Sequence, residues 1–135
     1  MELAISAPSG LDFDAAVART RALLAEQGFG VLTEIDVQAT LREKLGVDMG
    51  RYLILGACNP PLAHEALSID PEIGLLLPCN VVVRETGEGV LVQAMNPQLL
   101  VEMTGRTSLE PTAQQAAARL VQALESLEDT TPAEG

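Results

Sequence analysis

The sequence predicts one α+β domain: a mixed sheet of about five strands, two long helices packed on one face, and short helices at the strand ends. Three observations carry this. Apolar runs of strand length, such as Arg51 to Cys58 and Val90 to Met95, are interspersed with segments of helical period. Capping residues and glycine stops punctuate them at Asp12, Gly28, Asp36, Gly46 and Asn59. No linker or low-complexity block divides the 135 residues, so the chain reads as one domain over 1–126 with an acidic, flexible tail over 127–135.

Glu2 to Ala7 alternates polar and apolar side chains, as a half-buried first strand does, and Pro8-Ser9-Gly10 stops it. Asp12 then caps a helix whose inner face carries Phe13, Ala16, Val17, Thr20, Leu23 and Leu24 and which Gly28 ends. Val31 to Ile35 is the second strand. Asp36 caps a short helix with Val37, Leu41 and Leu45 on one side and Gly46 at its end. Arg51 to Cys58 is almost wholly apolar, as a central strand covered on both faces requires.

That strand stops at Asn59-Pro60-Pro61, where Asn caps and Pro60 occupies a first helical position that needs no amide hydrogen. Leu62, Ala63, Ala66 and Leu67 form the inner side of this helix, and Asp70-Pro71 repeats the device. Pro78-Cys79-Asn80 opens the fourth strand. Two β-branched runs flank Glu85-Thr86-Gly87-Glu88-Gly89, a hairpin in which glycine permits positive φ. Asn96-Pro97 starts a further helical turn, and after Gly105 a long helix from about Glu110 to Leu127 aligns Ala113, Ala117, Leu120, Leu124 and Leu127.

Composition excludes several partners. Nineteen acids against eight bases give a net charge of −11, which disfavours nucleic acid and an anionic membrane surface. Only Phe13, Phe29 and Tyr52 are aromatic, so the core must be aliphatic and no platform for stacking bases exists. The N-terminus lacks the pattern of a signal peptide and no apolar run approaches bilayer length; a cytoplasmic protein with two reduced thiols is expected. Seven of the eight bases are Arg, a bias that a GC-rich genome explains as well as heat adaptation does.

The concentrated chemistry is at Cys58 and Cys79. Cys58 stands where a strand meets a helix N-terminus, whose unpaired amides favour a thiolate. Inert packing is the alternative for both thiols, since free cysteine behaves as a small hydrophobe. Strand ends brought together would gather Cys58, Asn59, Pro78, Cys79, Asn80 and Met95 into one rim, with His64 or Met103 in reach for a soft ion. His64 beside Glu65 reads more simply as a solvated residue, and no Gly-x-Ser-x-Gly or complete nucleotide-binding glycine motif is present. Glu85, Glu88, Glu43 and Asp48 read as solvated loop carboxylates. Leu75-Leu76-Leu77 and Leu99-Leu100-Val101 supply aliphatic surface for a pocket, a dimer interface or the core. No catalytic residue, metal ligand set or cofactor is assigned.

Gly56-Ala57-Cys58-Asn59-Pro60, then Gly74-Leu75-Leu76-Leu77-Pro78-Cys79-Asn80-Val81-Val82-Val83, then Met95-Asn96-Pro97 resemble, in that order, the domain-of-unknown-function 302 family. The likeness takes in the Phe13 helix, the Gly28-Phe29 turn and Glu34-Ile35-Asp36, and so spans about residues 1 to 126. It implies a small, dimeric α+β domain, similar to members from thermophilic bacteria, with no agreed catalytic residues to carry over. The expected function is a homodimeric small-ligand-binding or accessory domain without established catalysis, with a small apolar or sulfur-containing ligand at the six-residue rim. A thiol-dependent enzyme or sulfur carrier using Cys58 or Cys79, and soft-metal or haem binding there, are the alternatives.

Overall fold

The computed structural model describes residues 2–128. The strands are β1 (Ala4–Ser9), β2 (Gly30–Asp36), β3 (Tyr52–Cys58), β4 (Cys79–Thr86) and β5 (Gly89–Met95). The α-helices are α1 (Phe13–Glu26), α2 (Val37–Leu45), α3 (Pro60–Ile69), α4 (Gln98–Thr104) and α5 (Glu110–Glu128); 3-10 turns cover Pro71–Leu76 and Thr107–Leu109.

Local chemistry explains most boundaries. The carboxylate of Asp12 accepts from the amide of Ala15, that of Asp36 from Ala39, and the Asn59 side-chain oxygen from Leu62. Gly28 beyond α1 and Gly46 at the end of α2 have φ of 85° and 68°, which β-carbon sterics make costly for other residues. The hairpin forms as expected, with Thr86 opposite Gly89.

The strands form one sheet in the order β1-β5-β4-β3-β2, and every neighbouring pair is antiparallel. The expected mixed sheet is thus corrected to an antiparallel one. β1 and β2, joined through α1, do run in the same direction, but three strands separate them, so their parallel relation makes no ladder. The apolar run of β3 comes from a neighbouring strand on each side, β4 and the edge strand β2, and from the helices over its inner face, and not from parallel pairing.

The two long helices lie on one face, the inner face, as expected. Phe13, Ala16, Leu23 and Leu24 of α1 and Leu120, Ala123, Leu124 and Leu127 of α5 form one cluster with Leu53, Leu55, Ala57, Val81, Val83, Val92 and Ala94. Leu127, at the start of the expected tail, is buried in this cluster; 129–135, the rest of that tail, lie outside the described residues. A second cluster at one end of the sheet joins Ala66, Ile73, Leu100 and Leu109, with Leu76, Leu77, Met95 and Val101 against it. The aliphatic segments at 75–77 and 99–101 mainly complete this core, while Leu75 is 83% exposed.

The outer face of the sheet is different. Tyr52, Ile54, Val82 and Leu91 are only half-buried there, and Ile35 is 49% exposed. No side chain from Gly30 to Gly50 is buried, although that stretch contains both β2 and α2.

Candidate functional site

A cavity of about 300 Å³ opens at the end of the sheet where β3 stops and β4 begins. It is the gap between the two packed clusters: Phe29 and Ala57 belong to the first, and Ala66, Leu100 and Leu109 to the second. Leu62 and Leu67 of α3, Leu77, Pro97, and Ala113 and Ala116 of α5 continue the aliphatic wall. Leu32 and Thr33 of β2 border it on the exposed side.

Four of the six expected rim residues line this cavity: Cys58, Asn59, Pro78 and Cys79. Asn80 and Met95 do not. Asn80 lies opposite Gly56 and is exposed, and Met95 packs against the second cluster. Most of the wall was missed in the sequence, although the small residues Ala113 and Ala116 on an inward helix face were a legible sign of unfilled space.

The polar groups on the wall are mostly occupied. Asn59 donates to the Gln27 carbonyl at 3.3 Å while its oxygen caps α3, so it ties β3 and α3 to the end of α1. Thr112 donates to the Glu65 carboxylate at 2.8 Å, linking α5 to α3. No buried side-chain nitrogen or oxygen is left without a partner among the described residues. Gly56 sits under this wall because a β-carbon there would overlap the Thr33 hydroxyl and crowd Pro78.

The two thiols differ. Cys58 is half-buried and Cys79 buried. Burial, and then the neighbouring Cys58, push the Cys79 thiol up from about 9 to about 11. Unfolded chains lose this proton first as pH rises, so the stability is intact below pH 9 and declines between pH 9 and 11. The expected loss is about 2–3 kcal/mol, and Cys79→Ser should flatten that part of a pH–stability curve measured by urea unfolding. In the native protein, Cys58 should be alkylated well before Cys79.

Ion pairing holds the cavity's outer elements. Arg106 Nε lies 2.8 Å from Asp70 Oδ2, joining the segment after α4 to the end of α3, and Asp70 also accepts from the Glu72 amide. The carboxylate is largely buried, with 11% of the side chain exposed. Arg106→Ala is expected to cost about 1–2 kcal/mol by leaving that carboxylate without its cation, whereas Arg106→Lys should recover part of it. A thermal melt of each variant checks this.

Other expected chemistry lies elsewhere. His64 is exposed, and no group of three His, Cys, Asp or Glu able to hold a metal occurs among the described residues. Glu85 accepts from the Arg51 amide at 2.8 Å, and Asp48 pairs with Arg42 at 3.7 Å, both on the surface. A second hollow, of about 390 Å³ and bounded by Pro8, Thr86, Gly87, Glu88, Val90 and Leu91, lies at the hairpin, the opposite end of the sheet from the thiols. No helix among the described residues is long and apolar enough to cross a membrane.

Fold and site define a small antiparallel α+β domain with an apolar cavity at one end of its sheet. The model of the family described as "Domain of unknown function DUF302" matches residues 5–127. The chain belongs to this family. Its fold is similar to the crystal structure of an uncharacterized conserved DUF302 protein from Bacillus stearothermophilus, with a TM-score of 0.87 and 28% sequence identity, covering 93% of this chain and 98% of that one. Comparison with curated proteins finds no match.

Proposed function

We propose that this protein is a homodimeric binding domain that holds a small, neutral, apolar molecule in the cavity beside Cys58 and Cys79. The observation that carries this reading is the wall itself. It is aliphatic apart from Phe29, and its amide and buried hydroxyl, Asn59 and Thr112, already have internal partners. An anionic ligand would meet no fixed cation on the wall and a chain of net charge −11 around it. A polar ligand would exchange its water contacts for aliphatic surface without compensation.

Dimerisation rests on the stretch from Gly30 to Gly50. Leu32, Ile35, Leu45 and Val47 are 68%, 49%, 69% and 44% exposed, and α2 buries none of its side chains. A nine-residue helix with no side chain more than half-buried is marginal in water, so a covering surface is called for. The outer sheet face beside it carries no acid at any paired strand position, although the chain has nineteen. Its one charge is Arg84, which donates to Gln93 at 3.0 Å. Two strongly acidic copies can approach with little repulsion on such a face.

Native mass spectrometry of protein purified without added ligand tests both parts. A dimer carrying a small neutral molecule is the expected result, and a bare monomer that takes up no neutral apolar dye such as N-phenyl-1-naphthylamine counts against the reading. The second reading, a thiol nucleophile or sulfur carrier, draws on the position of Cys58 on the cavity wall at the start of α3. Alkylation rate against pH at Cys58 separates the two: a thiol with ordinary acidity removes the second.

A further inference from the structure

The cavity is not closed by its own chain. Its buried walls come from α3, α4 and α5, but Leu32 and Thr33 on its border belong to the stretch in which no side chain is buried. Thr33 lies opposite Gly56 and Ile35 opposite Ile54, so Thr33 and the apolar outer face are successive positions on one surface. A register shift between Val31 and Thr33 places Leu32, 68% exposed, at the same edge. The cavity mouth and the uncovered sheet face are therefore contiguous.

We infer that the second copy of the chain, seated on this outer face, forms the missing wall at Leu32 and Thr33, so that ligand binding and dimerisation are thermodynamically linked. The inference rests on the homodimeric binding reading above and adds that the site is complete only between subunits. The occupant is another copy because the face lacks acids in a chain that is acidic elsewhere, and because a two-fold contact requires only that one patch complement itself. A ligand that touches both subunits binds the dimer better than the monomer. By reciprocity each of the two symmetry-related sites, when filled, strengthens dimerisation by the same factor, about 5- to 150-fold for couplings of ordinary size, so two filled sites act with its square.

Sedimentation of the wild-type protein, with and without saturating N-phenyl-1-naphthylamine, together with dye titrations across the dimer dissociation range, tests this. The expected result is a dye affinity that falls about 5- to 150-fold on dilution to the monomer, and a dimer dissociation constant that saturating dye lowers by the square of that factor, one factor for each site. Ile54→Glu places an acid on the outer face and should give a monomer with the weaker affinity. The dilution series needs no variant, so it decides the matter even if Ile54→Glu fails to fold. A dye affinity that is unchanged across the dimer-to-monomer range, or a wild-type protein that is monomeric throughout and still binds dye, overturns the linkage and leaves the cavity reading standing. A dimer that binds no dye overturns the cavity reading and the linkage with it.

Discussion

Leu55→Ala is expected to lower the stability of this protein by about 3–5 kcal/mol, the upper part of the range for a buried leucine cut back to a methyl group. Leu55 is fully buried in the middle of β3, paired with Val81 on one side and Glu34 on the other. Its side chain faces the cluster shared by α1 and α5, and the paired strands on both sides limit how far the hole can collapse. Small domains have about 5–15 kcal/mol in total, so the variant should lie close to unfolding at ambient temperature. Urea unfolding with an unchanged m-value and a much lower midpoint is the expected signature. A loss below about 1 kcal/mol would mean that the strand is not held between neighbours and helices as described.

Ala113→Phe is expected to abolish uptake of a neutral apolar dye, weakening it at least ~30-fold, equivalent to about 2 kcal/mol. Ala113 is buried on the inner side of α5 and lines the cavity. A phenyl ring projected from that position occupies space that is otherwise empty, so the cost to folding is expected to stay near 1 kcal/mol, in contrast with insertion into a filled core. Ala117→Phe, on the same helix outside the cavity lining, serves as the control for the change in residue type. Unchanged dye affinity in a folded Ala113→Phe protein would show that the dye sits elsewhere. Together the two substitutions separate packing from binding, one in the first cluster and one in the gap between clusters.

Much of the fold was legible residue by residue. Asp12, Asp36 and Asn59 cap the helices they precede, and Gly28 and Gly46 take the left-handed conformation where the sequence places stops. The reason is range: a cap is a bond between groups two or three residues apart, and helical period is visible within a dozen residues. The helix α2 shows where that reach ends. Its expected cap, stop and apolar side are present, yet Val37 and Leu41 are only half-buried and Leu45 is 69% exposed, because periodicity shows that a face is apolar without showing what it meets.

The site was legible in part, and the boundary has a physical cause. Cys58, Asn59, Pro78 and Cys79 were expected together because two strand ends carry them, and register places Cys79 opposite Ala57, beside Cys58. Asn80 and Met95 belonged to the same motifs, but Asn80 is exposed and Met95 packs into the second cluster, and nothing within either motif shows which neighbours a side chain will meet. The opposite side of the cavity comes from Leu100, Leu109, Thr112, Ala113 and Ala116, which approach it only after β5 and α5 have docked.

By itself the sequence determined an acidic α+β domain with an aliphatic core, its helix boundaries, its hairpin and the placement of two thiols at strand ends. These depend on composition and on bonds between near neighbours. Tertiary structure alone decided that all strand pairs are antiparallel, that β1 joins β5 across the length of the chain, and that two clusters leave a cavity between them. Pairing of distant strands follows from how the whole apolar surface is best buried, and a cavity is a property of walls that no local pattern contains.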